Sequence, residues 1–242
     1  MARYGSYETV RTLSRAGRTA FFIARRAEGE AHTLYLLEAR ESAAAVLGPE
    51  GDAEEQQRFI EGAELQRALV QKGATAWAPV HEAGQADGEA YRVTDHFQFS
   101  AAGLIGRVRL DAAALYRVVS HVITALAELE RLEGRPFGGL SAETVLITGE
   151  GPVARARVRL NNLRPLPDEA REAARLDDRR AVGALIHQLV LGREPDSAAA
   201  WGVADDPAWR ALGKTGEGGR QLCEALLARD RDGPDLCHQS LI

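Results

Sequence analysis

The stretch FGGLSAETVLI, residues 137–147, places a short apolar segment directly after a loop that contains two adjacent glycines. Thr144–Thr148 and Ala156–Asn161 are each typical of a short strand, and Gly149-Glu150-Gly151-Pro152 between them is typical of a turn. We therefore predict a small β-hairpin in this part of the chain.

Helices are predicted on both sides of this hairpin. Apolar residues recur at helical spacing over Asp111–Leu132, with Asp111 as the N-cap, and Gly134 ends the pattern. After the hairpin, Asp177 or Asp178 is predicted to cap a second helix, which Gly192 closes. A last helix is predicted over about Gly218–Arg229.

The N-terminal part of the chain is predicted to be rich in strands. The predicted strands contain β-branched and aromatic residues and are separated by turn signals; they are Thr9–Ser14, Ala20–Arg26, Thr33–Arg40, Trp77–Glu82 and Glu89–Phe97. One helix, capped by Asp52 and running to about Gln71, interrupts them. The pattern changes near residue 98, so we predict one lobe over residues 1–98 and a second over 99–242.

Composition excludes several classes of protein. The 242 residues are 45% hydrophobic and 27% charged, which is enough apolar material for a packed core. The net charge of −5 argues against a dedicated nucleic-acid binder. No apolar run approaches the roughly 18 residues of a membrane helix, and Cys223 and Cys237 are too few for a disulfide framework. We expect a cytoplasmic chain with reduced thiols.

The order of elements resembles the eukaryotic-like protein kinase fold, and six strings over about residues 7–232 follow the family's order. Five are similar to the glycine-loop hairpin, the third strand, the hinge, the catalytic loop and the strand before Asp-Phe-Gly: Leu13–Arg25, Tyr35–Glu38, Thr94-Asp95-His96-Phe97, Phe137–Ile147 and Leu160–Arg164. The sixth, from Asp178 to Pro195, resembles the large central helix of the C-lobe. The resemblance implies a bilobal α+β fold with a five-stranded N-lobe and a shortened, mainly helical C-lobe.

The phosphate-binding groups of the family are replaced here. Ser14, Ala16 and Thr19 stand at the three glycine places of the glycine loop, where only Gly17 remains nearby. The third-strand lysine is matched by Glu38, a carboxylate that would repel phosphate.

Substitutes for that lysine are few. Only two lysines exist, Lys72 and Lys214, and neither is near by a simple register slip. Arg40 lies two residues after Glu38 and shares its face of the strand, but we expect a surface or loop role for it. The acidic position of the helix is matched by Glu61, with Glu64 as a register alternative.

The catalytic groups are replaced as well. Gly139 stands where the catalytic-loop aspartate would accept the proton of the substrate hydroxyl, and Phe137 replaces the usual His or Tyr. Thr144 and Asn162 replace the asparagine and the aspartate that hold magnesium, a metal that prefers carboxylate and phosphate oxygens. Only 178 − 162 = 16 positions separate Asn162 from Asp178, so there is no room for a peptide-positioning platform.

Asp178 is the one matching charged residue of this region. In the family the equivalent aspartate braces the backbone of the catalytic loop, but we favour an N-cap role beside Asp177. Arg171, Arg175, Arg179 and Arg180 are interleaved with acids and are interpreted as a solvated, salt-bridged face; docking of an acidic or phosphorylated segment is the alternative.

These substitutions together predict a catalytically inactive pseudokinase with no bound cofactor. The resemblance implies a protein-binding, scaffolding or allosteric module that acts through protein partners, often within a longer signalling chain, and the Arg- and Ala-rich composition suggests a bacterial source. Two alternatives stay open: a divergent enzyme that transfers phosphate or nucleotide, and a nucleotide-sensing switch that binds without turnover.

The remaining motifs do not indicate a specific function. Gly213-Lys214-Thr215 is similar to the end of a phosphate-binding P-loop, but Ala208 stands where the first glycine is required, so we predict a solvated loop. No two histidines have metal-ligand spacing; His121 and His187 are expected to be hydrogen-bonded within helices, and Cys223 to be a small buried residue.

Overall fold

The computed structural model describes residues 1–28, 33–149, 151–195 and 206–227. They form two compact units. The N-terminal unit contains Met1–Gly73, Ala78–Phe97 and Asn162–Pro165; the C-terminal unit contains Ala74–Trp77, Gln98–Asn161 and the described residues from Leu166 onward. Two short segments therefore belong to the unit opposite to the one that a single boundary near residue 98 predicts. Glu150, Arg229 and Cys237 lie outside the described residues.

The N-terminal unit is built on one antiparallel sheet. Its strands are β1 (Arg3–Tyr4), β2 (Tyr7–Ala16), β3 (Thr19–Arg26), β4 (Tyr35–Arg40), β5 (Val80–Ala86) and β6 (Glu89–Asp95), in the order β1-β2-β3-β4-β6-β5. The prediction of five strands is wrong, because β1 pairs with the start of β2. Tyr4 and Tyr7, which flank that turn, are both buried against Leu37, Tyr91 and Val93.

The hairpin of β5 and β6 is tighter than predicted. Asp87 and Gly88 both have positive φ angles, 51° and 83°, and form the two-residue turn alone. Strand β5 therefore continues to Ala86, beyond the predicted end at Glu82. Trp77 lies outside this strand and makes an isolated bridge with Leu160 in the C-terminal unit.

Helix α1 (Ala44–Gln71) begins earlier than the sequence predicts. It is interrupted at Gly48, whose φ of 75° only glycine adopts readily, and continues from Pro49, whose fixed φ suits a first helical turn. Asp52 is thus inside the helix and is not its N-cap. Its buried carboxylate accepts hydrogen bonds from the Ala43 N–H at 2.6 Å and the Ser42 hydroxyl at 2.7 Å, which lower the pKa of Asp52.

The C-terminal unit is mainly helical with one small sheet. Its helices are α2 (Ala112–Glu133), α3 (Arg171–Leu191), α4 (Pro207–Ala211) and α5 (Gly213–Leu227). Strands β7 (Phe99–Ser100), β8 (Val145–Thr148) and β9 (Arg157–Leu160) form an antiparallel sheet in that order, and the predicted hairpin is its β8–β9 pair. Short 3-10 turns occupy Ala101–Gly103, Val153–Arg155 and Asp168–Ala170.

Helix α2 is the centre of this unit. The Asp111 carboxylate accepts from the Ala114 N–H at 2.7 Å, and Gly134 ends the helix in the left-handed conformation, as predicted. By length and composition α2 meets the threshold for a membrane span, with a mean hydropathy of 1.3 and 44% of that window buried, so the expectation that no segment approaches it is corrected. Its apolar stripe packs inside the unit, where Leu115, Val118 and Leu129 are buried.

The last helix contradicts the loop prediction for Gly213-Lys214-Thr215. Helix α5 begins at Gly213, five positions before the predicted start, despite the low helix propensity of its glycines. A Cβ on Gly216 would lie 1.9 Å from the Trp209 carbonyl oxygen of α4. Close packing against α4 therefore needs a glycine here and overrides intrinsic propensity.

Candidate functional site

Glu38, at the position matched to the third-strand lysine, belongs to a buried ion pair. It lies on β4 with 5% of its surface exposed, and its Oε2 accepts from Arg92 Nη2 of β6 at 2.5 Å. The Arg92 guanidinium also stacks over the Phe59 ring of α1, 5.1 Å from the ring centroid. Glu38 is therefore neutralised inside the unit.

Arg40, two residues further along β4, contacts helix α1. Its guanidinium donates to Glu55 Oε1, so the expectation of a surface or loop role is wrong. Burial lowers the pKa of Arg40, and the Glu55 charge opposes that shift. The α1 carboxylate that pairs with this arginine of β4 is therefore that of Glu55. The predicted candidates Glu61 and Glu64 are exposed on α1, where Glu61 accepts a hydrogen bond from Gln57 Nε2 at 3.0 Å.

The turn between β2 and β3 is tied to the same carboxylate. Arg18, directly after Gly17, donates to Glu55 Oε2, and its carbonyl oxygen accepts from the Glu41 N–H at 2.9 Å. The hydrogen bond from Arg18 and the positive charge of Arg40 lower the pKa of Glu55. Among the positions matched to the glycine loop, Ser14 is exposed opposite Phe21, and Ala16 pairs with Thr19 to close the turn.

A cavity of about 250 Å³ opens beside this ion-pair cluster, entirely within the N-terminal unit. Three arginines and one glutamate line it together with apolar and amide groups: Arg40, Glu55, Arg58, Phe59, Asn162, Leu163, Arg164 and Pro165. The Nε of Arg40 is buried and has no hydrogen-bond partner. The lining therefore carries excess positive charge, which suits an anionic ligand.

The segment Asn162–Pro165 reaches this cavity because two α1 residues accommodate it. A Cβ on Gly62 would lie 2.3 Å from the Leu163 carbonyl oxygen, so only glycine allows this approach. The fully buried Gln66 accepts from the Leu163 N–H at 3.2 Å and donates to the Ala78 carbonyl at 2.7 Å. Asn162 itself has a φ of 72°. Neither Gly62 nor Gln66 gives a sequence signal of this role.

The segment matched to the hinge closes β6. Thr94 is fully buried and donates to the Asp95 carbonyl at 3.3 Å, while Asp95 pairs with His81 at 2.8 Å. Phe97 is buried, and burial lowers the pKa of His96.

In the C-terminal unit, Asp178 braces the loop matched to the catalytic loop. It is buried inside α3, seven residues after the helix begins at Arg171, so the N-cap role is wrong. Its carboxylate accepts from the Phe137 N–H at 2.8 Å and the Gly138 N–H at 2.9 Å. Burial raises the pKa of Asp178, and these backbone donors oppose the rise.

The remaining side chains of this loop are structural. Phe137 packs edge-on against Trp77, with centroids 5.2 Å apart, and Gly139 has no side chain to offer. The buried Thr144 hydroxyl donates to the Ser141 carbonyl at 2.9 Å and accepts from the Ser141 N–H at 3.1 Å. The Thr144 hydroxyl is thus already engaged, and Asn162 carries a neutral amide, whereas magnesium prefers carboxylate oxygens. The described ranges contain no group of three His, Cys, Asp or Glu that could hold a metal.

The other sequence candidates are explained by local contacts. Arg171, Arg175 and Arg180 pair with Asp168, Glu130 and Asp177, which confirms the salt-bridged face. Hydrogen bonds join His121 to the Arg117 carbonyl and His187 to the Arg193 carbonyl. Cys223 is fully buried, and burial raises its thiol pKa to about 12.

The six-stranded N-terminal unit with its single helix, followed by the helical unit with a braced loop and hairpin, defines an α+β fold of the protein kinase type. A comparison with solved structures agrees: the chain is similar to the crystal structure of the kinase domain of Mycobacterium tuberculosis PknI, a cysteine-to-alanine mutant. The TM-score is 0.63 at 16% identity, over 94% of this chain and 89% of that one. No protein-family model matches the chain, and no curated protein matches it.

Proposed function

We propose that this chain is a pseudokinase: a kinase-like domain without phosphotransfer that serves as a protein-binding, scaffolding or allosteric module in a bacterial cytoplasm. The observation that carries the proposal is the loop of residues 137–144. Asp178 holds its backbone at Phe137 and Gly138, whereas Gly139 supplies no carboxylate to accept a proton. The loop retains its structural support and lacks its reactive group.

The residue at the position matched to the third-strand lysine, and the arginines near it, support the same proposal. Phosphoryl transfer requires a positive group for the nucleotide phosphates. Glu38 stands at the matched position and pairs with Arg92. Arg40 pairs with Glu55, which also binds Arg18 of the β2–β3 turn.

The segment after Asn162 is too short to present a peptide. It runs directly into the 3-10 turn Asp168–Ala170 and then into α3 at Arg171. Protein substrates need a surface that aligns the hydroxyl with the transferred phosphate, since most of the rate enhancement comes from positioning. This favours a binding module over an enzyme that phosphorylates proteins.

A second candidate function is a nucleotide-sensing switch that binds without turnover. The cavity of about 250 Å³ favours it, because three arginines and one glutamate line it. Such a site would take the phosphates of a nucleotide directly on guanidinium groups, with no metal ion.

One set of measurements separates these functions. The full chain is titrated with ATP, with and without Mg²⁺ or Mn²⁺, while thermal stability and transfer of labelled phosphate are followed; a bound ligand raises stability by RT ln(1 + [L]/Kd). A scaffold gives neither stabilisation nor product.

Stabilisation by ATP without metal, lost in Arg58→Gln and kept in the matched control Arg25→Gln, identifies the nucleotide-sensing switch. Arg25 lies on β3, where it pairs with Glu8 outside the cavity lining. Metal-dependent stabilisation with labelled product overturns the pseudokinase proposal.

A further inference from the structure

A second cavity, of about 130 Å³, lies within the C-terminal unit. Helices α2, α3 and α5 line it with four large side chains, two polar residues and two glycines: Leu115, Tyr116, Val119, Ile186, Lys214, Thr215, Gly218 and Gly219. Leu115, Val119 and Ile186 are buried to at least 97%. The floor of the cavity is therefore apolar.

Polar groups lie where this cavity meets solvent. Lys214 is exposed, and within the described ranges its ammonium has no ion-pair partner. Tyr116 is 48% exposed, and Thr215 is half-buried. A positive charge beside hydroxyl groups at the edge of an apolar floor is the arrangement that a ligand with an apolar body and an anionic end requires.

The glycines of α5 keep this cavity open. Gly216 is required, because a Cβ there would collide with the Trp209 carbonyl. Gly219 is not: its Cβ would make ordinary contacts, 3.8 Å from Leu115 Cδ2 and 3.9 Å from Ile186 Cγ2. Alanine at 219 would fit and would favour the helix, so the glycine costs helix stability and leaves space over the apolar floor.

We propose that this cavity binds a small amphiphilic monocarboxylate, with the apolar body on Leu115, Val119 and Ile186 and the carboxylate on Lys214. Its size limits the body to about one aromatic ring or a six-carbon chain, since a cavity of about 150 Å³ accommodates benzene. The site is independent of the nucleotide question, because none of its residues lines the N-terminal cavity.

The test titrates the full chain with 3-phenylpropanoate and follows the methyl resonances of Leu115, Val119 and Ile186. We expect saturable shifts of these methyl groups and a higher melting temperature. 3-Phenylpropanamide, which lacks the charge, is expected to bind about tenfold more weakly or worse. Acetate, which lacks the apolar body, is expected to cause no saturable shift. Equal binding of acetate would mean a general anion effect and would overturn the proposal.

Matched variants locate the site. Lys214→Gln is expected to weaken binding by about tenfold or more, and Lys214→Arg to retain it, because arginine keeps the charge. Gly219→Ala places a methyl group over the floor and is expected to abolish the methyl shifts. Gly103→Ala adds the same group elsewhere in the C-terminal unit, outside the cavity lining and where nothing lies within 4 Å, and it should leave binding intact. Wild-type affinity in both Lys214→Gln and Gly219→Ala refutes the site, and circular dichroism confirms that each variant is folded.

Discussion

The charged network on β4 and α1 of the N-terminal unit differs from the loop of residues 137–144 in the C-terminal unit. In the N-terminal unit, acids and arginines are abundant and pair with one another, as in Glu38–Arg92 and Arg40–Glu55. In the loop, the acid that contacts it is Asp178, which binds backbone N–H groups. In both regions the charged groups contact other protein groups and contribute to the fold. Substitutions in each region can therefore test how much these contacts contribute to stability.

The largest expected effect is the loss of one partner from the buried pair. Glu38→Leu or Arg92→Leu alone should lower the free energy of unfolding by about 3–5 kcal/mol, because each removes one charge of a buried ion pair while the other charge stays buried. The double variant should recover most of that loss, since two apolar residues need no ion partner. Denaturant unfolding, with the slope checked for two-state behaviour, measures all three.

An exposed pair provides the control for this cycle. Arg15 and Glu41 have side chains that are 62% and 36% exposed, and Arg15→Ala should change stability by less than about 1 kcal/mol. Equal losses of stability in Arg15→Ala and Arg92→Leu would mean that burial does not determine how much the Glu38–Arg92 pair contributes to stability.

The second effect tests the loop. Asp178→Ala leaves the Phe137 and Gly138 N–H groups without their acceptor, and an unsatisfied buried donor costs roughly 1–3 kcal/mol. We expect a loss of about 3 kcal/mol, with faster amide exchange at Phe137 and Gly138. Asp177→Ala is the matched control, because the Asp177 side chain is 70% exposed and its ion pair with Arg180 is long, at 3.9 Å. This substitution should lower stability by less than about 1 kcal/mol. Unchanged exchange at Phe137 in Asp178→Ala would contradict the brace.

The elements whose ends carry their own signals were predictable from the sequence. Asp111 and Gly134 mark both ends of α2, because a cap is formed by residues close in the chain. The kinase-type order of strands and helices follows from such local patterns.

Choices that depend on tertiary contacts were not predictable. Glu38 and Arg40 share a face of β4, and only the position of α1 determines that Arg40 meets Glu55. Similarly, Asp177 and Asp178 are equal as caps in the sequence, but the helix begins at Arg171 and turns only Asp178 toward the loop. The contact of Gly62 with Leu163 joins residues about a hundred positions apart, so no local pattern reports it.

The smallest expected effect is the contribution of buried histidines, present in both units, to the pH dependence of stability. Burial lowers the pKa of His96 in the N-terminal unit and of His121 and His187 in the C-terminal unit. In the unfolded chain each titrates near 6.5, so below that pH the unfolded state binds more protons and stability falls as pH falls. Well above pH 6.5 all three are neutral in both states, and their contribution to stability is fully present.

His187→Gln isolates one of these contributions. We expect the wild type to lose up to about 1 kcal/mol more stability than His187→Gln between pH 7.5 and 5.5, because glutamine does not titrate. The difference between the two proteins cancels groups of opposite sign, such as Asp178, whose raised pKa makes it favour the folded state at low pH. Parallel stability curves for the two proteins over that range would mean that His187 is protonated equally in the folded and unfolded states, against the lowering of its pKa by burial.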